Sequence, residues 1–183
     1  LPLLPFILIN GANGIGTGYS TTIPAFNPNE IARWYINKLK GKQNRKKILP
    51  YYRGFTGEIE WVEEKQKYLC RGVIKEIKPQ VYEITELPIG IWSDNYLNHL
   101  DKMIEDKKVR EYDKDCNGDD IWIRVTTIEP IEGDLAKYFG LEKSISMNNL
   151  HAFNPQGELV KYEDHYQMME EFYEFRLGWY ENR

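Results

Sequence analysis

The sequence predicts an α+β fold, and three observations carry that reading. Short runs of period-two alternation recur between residues 58 and 128, as half-buried strands require. Apolar residues at helical spacing mark two other stretches, Tyr96, Leu97, Leu100, Met103 and Ile104, and then Tyr166, Met169, Phe172, Tyr173, Leu177 and Tyr180. A helix start, Asn27-Pro28-Asn29-Glu30, stands ahead of all the alternating runs. At 183 residues and 42% hydrophobic, the chain is long enough for one ordinary domain with a sizeable core.

Taken in order, residues 3–9 are apolar, short and followed at once by turn residues, so they read as a buried strand. Then come Asn10, Gly11, Gly14, Gly16, Thr17, Gly18, Tyr19 and Ser20, a glycine-rich stretch that encloses one large side chain, Ile15. The residues leave two readings open. Ile15 folds back into the core from a glycine-rich turn, or it is a bare hydrocarbon wedge of the kind that enters between stacked base pairs. In the helix that follows, Asn27 caps, Pro28 takes the first position and Glu30 completes a capping box. Its apolar side is Ile31, Trp34, Tyr35 and Leu39, and it ends near Gly41. Residues 42–47 form a solvated basic loop. Strands are expected over 58–62, 67–77 and 80–87, with Tyr82 and Ile84 as core residues.

A helix is expected over 94–107, then an exposed, mixed-charge turn over 107–120 and a strand over 121–128. A short helix over 134–139 stops at Gly140, residues 144–157 read as strand and turn about Asn154, and 164–183 is helical. The last helix carries a Met and Tyr stripe that serves packing rather than a cofactor.

Charge decides among partner classes. The net charge of −4 argues against a nucleic-acid binder, but its distribution argues for one. Residues 1–57 hold Arg33, Lys38, Lys40, Lys42, Arg45, Lys46, Lys47 and Arg53 against Glu30 alone, a balance of +7, while the remainder carries −11. Cys70 and Cys116 are far apart and read as structural thiols in a reducing compartment. The three histidines are scattered, so zinc is not expected. No apolar run approaches the ~20 residues of a membrane helix, and Leu1-Pro2 lacks the basic start of a signal peptide. The chain reads as cut from the middle of a longer one.

Pro5-Phe6-Ile7-Leu8-Ile9-Asn10-Gly11, Gly14-Ile15-Gly16-Thr17-Gly18-Tyr19-Ser20 and Ile23-Pro24-Ala25-Phe26-Asn27-Pro28 together resemble the breakage-reunion core of type IIA DNA topoisomerases, in the eukaryotic and large-DNA-virus branch. Residues 50–57, the Glu-Leu-Pro at 86–88 with Trp92, and Phe175-Arg176-Leu177 extend the resemblance along the whole chain. The departures are Asn13 for the usual Glu, Tyr19 for Trp, Gly90 for a basic residue and Asn154 for Asp. The resemblance implies the end of a winged-helix domain over 1–27, with Ile15 at the position of the family's intercalating isoleucine. It implies a tower domain over 28–163, a mixed sheet with flanking helices, and the start of a coiled-coil arm over 164–183.

It further implies a homodimeric, ATP-dependent isomerase acting on double-stranded DNA inside the cell, in the nucleus or at a viral replication site. The catalytic tyrosine, the acidic Mg²⁺ cluster and the ATPase are expected outside this stretch, so the chain alone is expected to be inactive and to bind no cofactor. Tyr52-Arg53 sets Tyr beside Arg in the reversed order, and the tower-base resemblance explains it better. Asp113, Asp115, Asp119 and Asp120 read as a solvated loop rather than a metal site. DNA-backbone contacts are expected from Arg33, Lys38, Lys40, Lys42, Arg45, Lys46 and Lys47.

Two other classes compete. A nucleotide-binding enzyme could use the glycine-rich loop. Gly18 is followed by Tyr19-Ser20 without the Lys of a P-loop, however, and Thr21-Thr22-Ile23-Pro24 denies the helix of a dinucleotide site. A non-catalytic protein-interaction module, acidic and aromatic-rich, is the third.

Overall fold

A computed structural model describes residues 2–183 except 66, 118 and 119, and of Asn117 only the backbone. The chain forms two compact units. One comprises Leu1–Arg53, Trp61–Tyr68 and Ile145–Arg183; the other comprises Gly54–Glu60 and Leu69–Ser144.

In the first unit, α1 (Phe6–Asn10) opens the chain where the apolar run predicts a strand. Pro5 precedes it with no N–H to satisfy, and Gly11 ends it at φ +70. Of the run only Pro5 and Leu8 are buried, so one turn of helix meets the core's demand. The glycine-rich stretch then forms a hairpin, β1 (Ala12–Ile15) and β2 (Ser20–Ile23). Asn27 caps α2 (Pro28–Leu39), its Oδ1 accepting from the Asn29 N–H at 2.9 Å. Glu30 closes no capping box: its carboxylate pairs with Lys46 at 2.6 Å, an exposed cation sixteen residues on.

Ile31, Trp34 and Tyr35 of α2 pack with Leu8, Ile23, Phe26, Ile48, Leu150 and Met169, as spacing predicts, while Leu39 is exposed. The hairpin β10 (Leu150–Phe153) and β11 (Leu159–Tyr162) turns at Asn154, whose Oδ1 accepts from the N–H groups of Gln156 and Glu158. The last helix is α5 (His165–Glu181), capped by Asp164. Tyr35 donates its hydroxyl proton to the Met169 carbonyl at 2.9 Å, tying α2 to α5.

The strand predicted over 67–77 is two. β3 (Glu58–Val62) and β4 (Lys67–Arg71) are neighbours in a three-stranded sheet with β9 (Glu142–Ile145). Gly72 then breaks the run: its N–H donates to the Leu141 carbonyl, and a Cβ there would lie 2.3 Å from the Glu86 carbonyl oxygen. Beyond it, β5 (Val73–Lys78) belongs to a second sheet with β6 (Val81–Glu86), β7 (Val109–Asn117) and β8 (Asp120–Thr127), ordered β5-β6-β8-β7 and antiparallel.

Tyr82 and Ile84 are fully buried, as alternation predicts. They pack with Tyr96, Leu97, Leu100 and Met103 of α3 (Ser93–Glu105) and with Ile123, Val125, Phe139 and Leu141. The mixed-charge stretch expected as an exposed turn over 107–120 is largely strand β7. Val109 fills the core while Asp113, Lys114 and Asp115 face solvent on an edge strand, where charge discourages pairing with another chain. Asp119 lies outside the described residues. Asp134 caps the short helix α4 (Leu135–Tyr138). Cys70 and Cys116 are free thiols.

Candidate nucleic-acid interface

The β1–β2 register decides where Ile15 points. Ala12 opposes Ile23, Asn13 opposes Thr22, Gly14 opposes Thr21 and Ile15 opposes Ser20. Side chains alternate across a strand, so the face that buries Ile23 and packs Ala12 on the core turns Ile15 away from it. Ile15 is 94% exposed, more than any other large hydrophobic side chain described. The reading in which Ile15 folds into the core is thereby excluded. Gly14 and Gly16 leave it without side chains beside it along the strand.

The tip is closed rather than loose. The Gly16 N–H donates to the Tyr19 carbonyl at 2.8 Å, and Gly18 makes the turn at φ +84. The Tyr19 ring lies over Gly16, where a Cβ would meet the ring carbons at 2.8–2.9 Å. At the other end of the hairpin, a Cβ on Gly11 would lie 2.8 Å from the Ile23 carbonyl oxygen, at a φ that only glycine adopts freely. Asn10 is the last residue of α1, and Thr17 is an exposed turn residue.

A set of contacts invisible in the sequence holds this hairpin against β10. The Thr22 N–H donates to the Asn149 carbonyl at 2.9 Å. The Thr21 hydroxyl donates to the His151 carbonyl at 2.8 Å and accepts from the His151 N–H at 3.2 Å. Asn149 Nδ2 donates to Ser20 Oγ at 2.6 Å, and the rings of Tyr19 and His151 are 6.1 Å apart. These partners are some 130 positions apart in the chain, so no local pattern announces them.

The seven basic residues of α2 and the loop after it separate into two sets. Lys38 pairs with Glu170 at 2.5 Å, Lys46 with Glu30 at 2.6 Å and Lys47 with Glu63 at 3.1 Å. Lys38 and Lys47 also lie against aromatic faces, 4.9 Å from Tyr173 and 4.3 Å from Trp61. Arg33, Lys40, Lys42 and Arg45 are exposed and make no ion pair among the described residues. Asn44 fixes the loop, donating to the Trp34 carbonyl and accepting from Asn37, both at 3.0 Å.

Gly90, where the resemblance leads one to expect a cation, sits at φ +79 with the Lys143 ammonium filling the space of its absent Cβ. Lys143 donates to the Gly90 carbonyl at 2.7 Å.

Residues 1–183 match the DNA gyrase/topoisomerase IV A-subunit family along their whole length. The chain belongs to that family. Among family relatives, DNA topoisomerase 2 of Saccharomyces cerevisiae is 38% identical over 192 residues, and that of Arabidopsis thaliana 34% over 194; each alignment spans the whole chain. The chain spans 13% of the length of each. The crystal structure of the Plasmodium falciparum topoisomerase II DNA-binding, cleavage and re-ligation domain superposes with a TM-score of 0.85 at 31% identity, covering all of this chain and 26% of that one. Family and structure agree with the α+β architecture expected from the sequence.

Proposed function

We propose that this chain is the DNA-holding and DNA-bending part of an ATP-dependent type II topoisomerase, an isomerase that passes one duplex through a transient break in another. One observation carries the reading: Ile15, 94% exposed at the tip of a braced, glycine-flanked hairpin. A large side chain held in water at such a cost in hydration is used where it meets a partner, and a branched hydrocarbon fits between unstacked bases. In this reading residues 1–27 end a winged-helix domain, 28–163 form the tower and 164–183 begin a coiled-coil arm. Asn10, Gly11, Gly14, Gly16, Thr17, Gly18, Tyr19 and Ser20 shape the loop at the DNA, and Arg33, Lys40, Lys42 and Arg45 meet phosphates. The partners are double-stranded DNA, the rest of the same polypeptide and a second copy of it, at DNA within the cell.

Mg²⁺ and ATP belong to the whole enzyme in this proposal, and no step through either is assigned to residues here. Among the described residues no three His, Cys, Asp or Glu side chains converge as a metal set. No described helix is long and apolar enough to cross a membrane. Incubating the chain with labelled duplex DNA and, separately, with labelled ATP distinguishes the classes. Retention of DNA without ATP is the expected result; retention of ATP without DNA would overturn the reading in favour of a nucleotide-binding enzyme. Supercoiled plasmid incubated with the chain, Mg²⁺ and ATP should stay intact, and protein-linked breaks would place cutting chemistry in this chain.

A further inference from the structure

We infer that Thr21 is a positioning residue for Ile15, acting through one hydroxyl group that clamps the hairpin to β10. The inference rests on reading Ile15 as a DNA wedge. A wedge must push against something, because unstacking a base step resists insertion by a few kcal/mol. A two-stranded hairpin by itself is marginally stable in water and yields to such a load. Here it is braced at one place. Thr21, directly across from Gly14 and one pair from Ile15, both gives a hydrogen bond to the His151 carbonyl and takes one from the His151 N–H. A hydroxyl has one proton and two lone pairs, so it satisfies both backbone groups of His151 at once.

The Asn149 carbonyl accepts from the Thr22 N–H, and Asn149 Nδ2 reaches Ser20, the residue opposite Ile15. The brace thus engages three consecutive residues of β2, the strand paired with the one that carries the wedge. Gly14 across from Thr21 has no side chain to crowd the clamp. Even a Cβ at that position would meet nothing nearer than the Thr21 methyl, at 3.8 Å.

The test uses the chain with a duplex labelled at both ends, reading bend by energy transfer and affinity by anisotropy. Four variants are compared: Thr21→Val, Thr21→Ser, Asn149→Ala and Ile15→Ala. Valine keeps the branched shape and loses the hydroxyl, so Thr21→Val should drop energy transfer to the Ile15→Ala level. Its affinity should stay within about twofold, since phosphate contacts set affinity and are untouched. Thr21→Ser should keep the wild-type bend, and Asn149→Ala should lose part of it while backbone pairing persists. Rescue by serine separates the hydroxyl from mere packing. Where Thr21→Val fails to fold, Thr21→Ala against Thr21→Ser gives the reading instead: alanine should straighten the DNA and serine should not.

A wild-type bend in both Thr21→Val and Asn149→Ala, with Ile15→Ala straight, would overturn the clamp and spare the wedge. An unaltered bend in Ile15→Ala would overturn the wedge and the clamp with it.

Discussion

His165 at the start of α5 is buried at 1% exposure, its ring stacked on Phe26 at 4.4 Å and tilted against Tyr166 at 4.0 Å, with Tyr68 beyond. Neither ring nitrogen has a hydrogen-bond partner among the described residues. Burial therefore penalises the charged form and pulls its pKa down to about 4, with the Asp164 carboxylate and the Ile48 backbone opposing. The folded chain holds the ring neutral where the unfolded chain would protonate it. Its contribution is complete above the ordinary histidine pKa of 6.5 and is lost as pH falls from there to about 4. Over that window the loss is about 3 kcal/mol. Urea unfolding from pH 7 to pH 4 should show His165→Phe with a shallower acid decline than the wild type. Parallel declines would mean that the ring finds a proton-accepting partner on protonation.

Sequence reasoning finds such a residue only as one more histidine, because burial of His165 depends on Phe26 and Tyr68 from far along the chain. Ile15 is the opposite case. Its flanking glycines and its resemblance are local and offer an exposed wedge as one of two readings, which the β1–β2 register settles, whereas the Thr21 clamp leaves no local trace.

At the scale of elements, legibility follows how local each cause is. The α2 helix starts at Asn27 and Pro28 by chemistry contained in four residues, and the buried Tyr82 and Ile84 follow from alternation. The run at residues 3–9 misleads because so short an apolar run suits one helical turn or a strand equally, and Pro5 and Gly11 settle it. Gly72 splits one apparent strand between two sheets because the Glu86 backbone lies against it. β7 hides behind its charges because an edge strand needs an apolar residue only where it meets the core.

The basic segment yields a prediction at the same scale. With four unpaired cations on phosphates, log affinity should fall against log salt with a slope of roughly −3 to −4. Lys40→Gln, Lys42→Gln and Arg45→Gln together should flatten that slope, whereas Lys46→Gln and Lys47→Gln, already paired to Glu30 and Glu63, should alter it far less. Equal flattening by both sets would show that the ion pairs break on DNA, and an unchanged slope that the segment is only solvated.

For the whole molecule, charge and shape point to the same end of the chain. The excess of +7 lies within residues 1–57, which also carry the exposed hairpin, while the acidic remainder, residues 58–183, supplies the β5-β6-β8-β7 sheet and α3 as well as β10, β11 and α5. The central claim is that Ile15 bends DNA and does not stabilise the fold. A core Ile→Ala change costs about 2–5 kcal/mol through the cavity it leaves, and a side chain 94% exposed leaves none. End-to-end energy transfer on a doubly labelled duplex, read beside urea unfolding of Ile15→Ala, tests this most directly. Straightened DNA with a near-wild-type unfolding midpoint is the expected outcome; an unaltered bend with a large loss of stability would mean that Ile15 is a core residue.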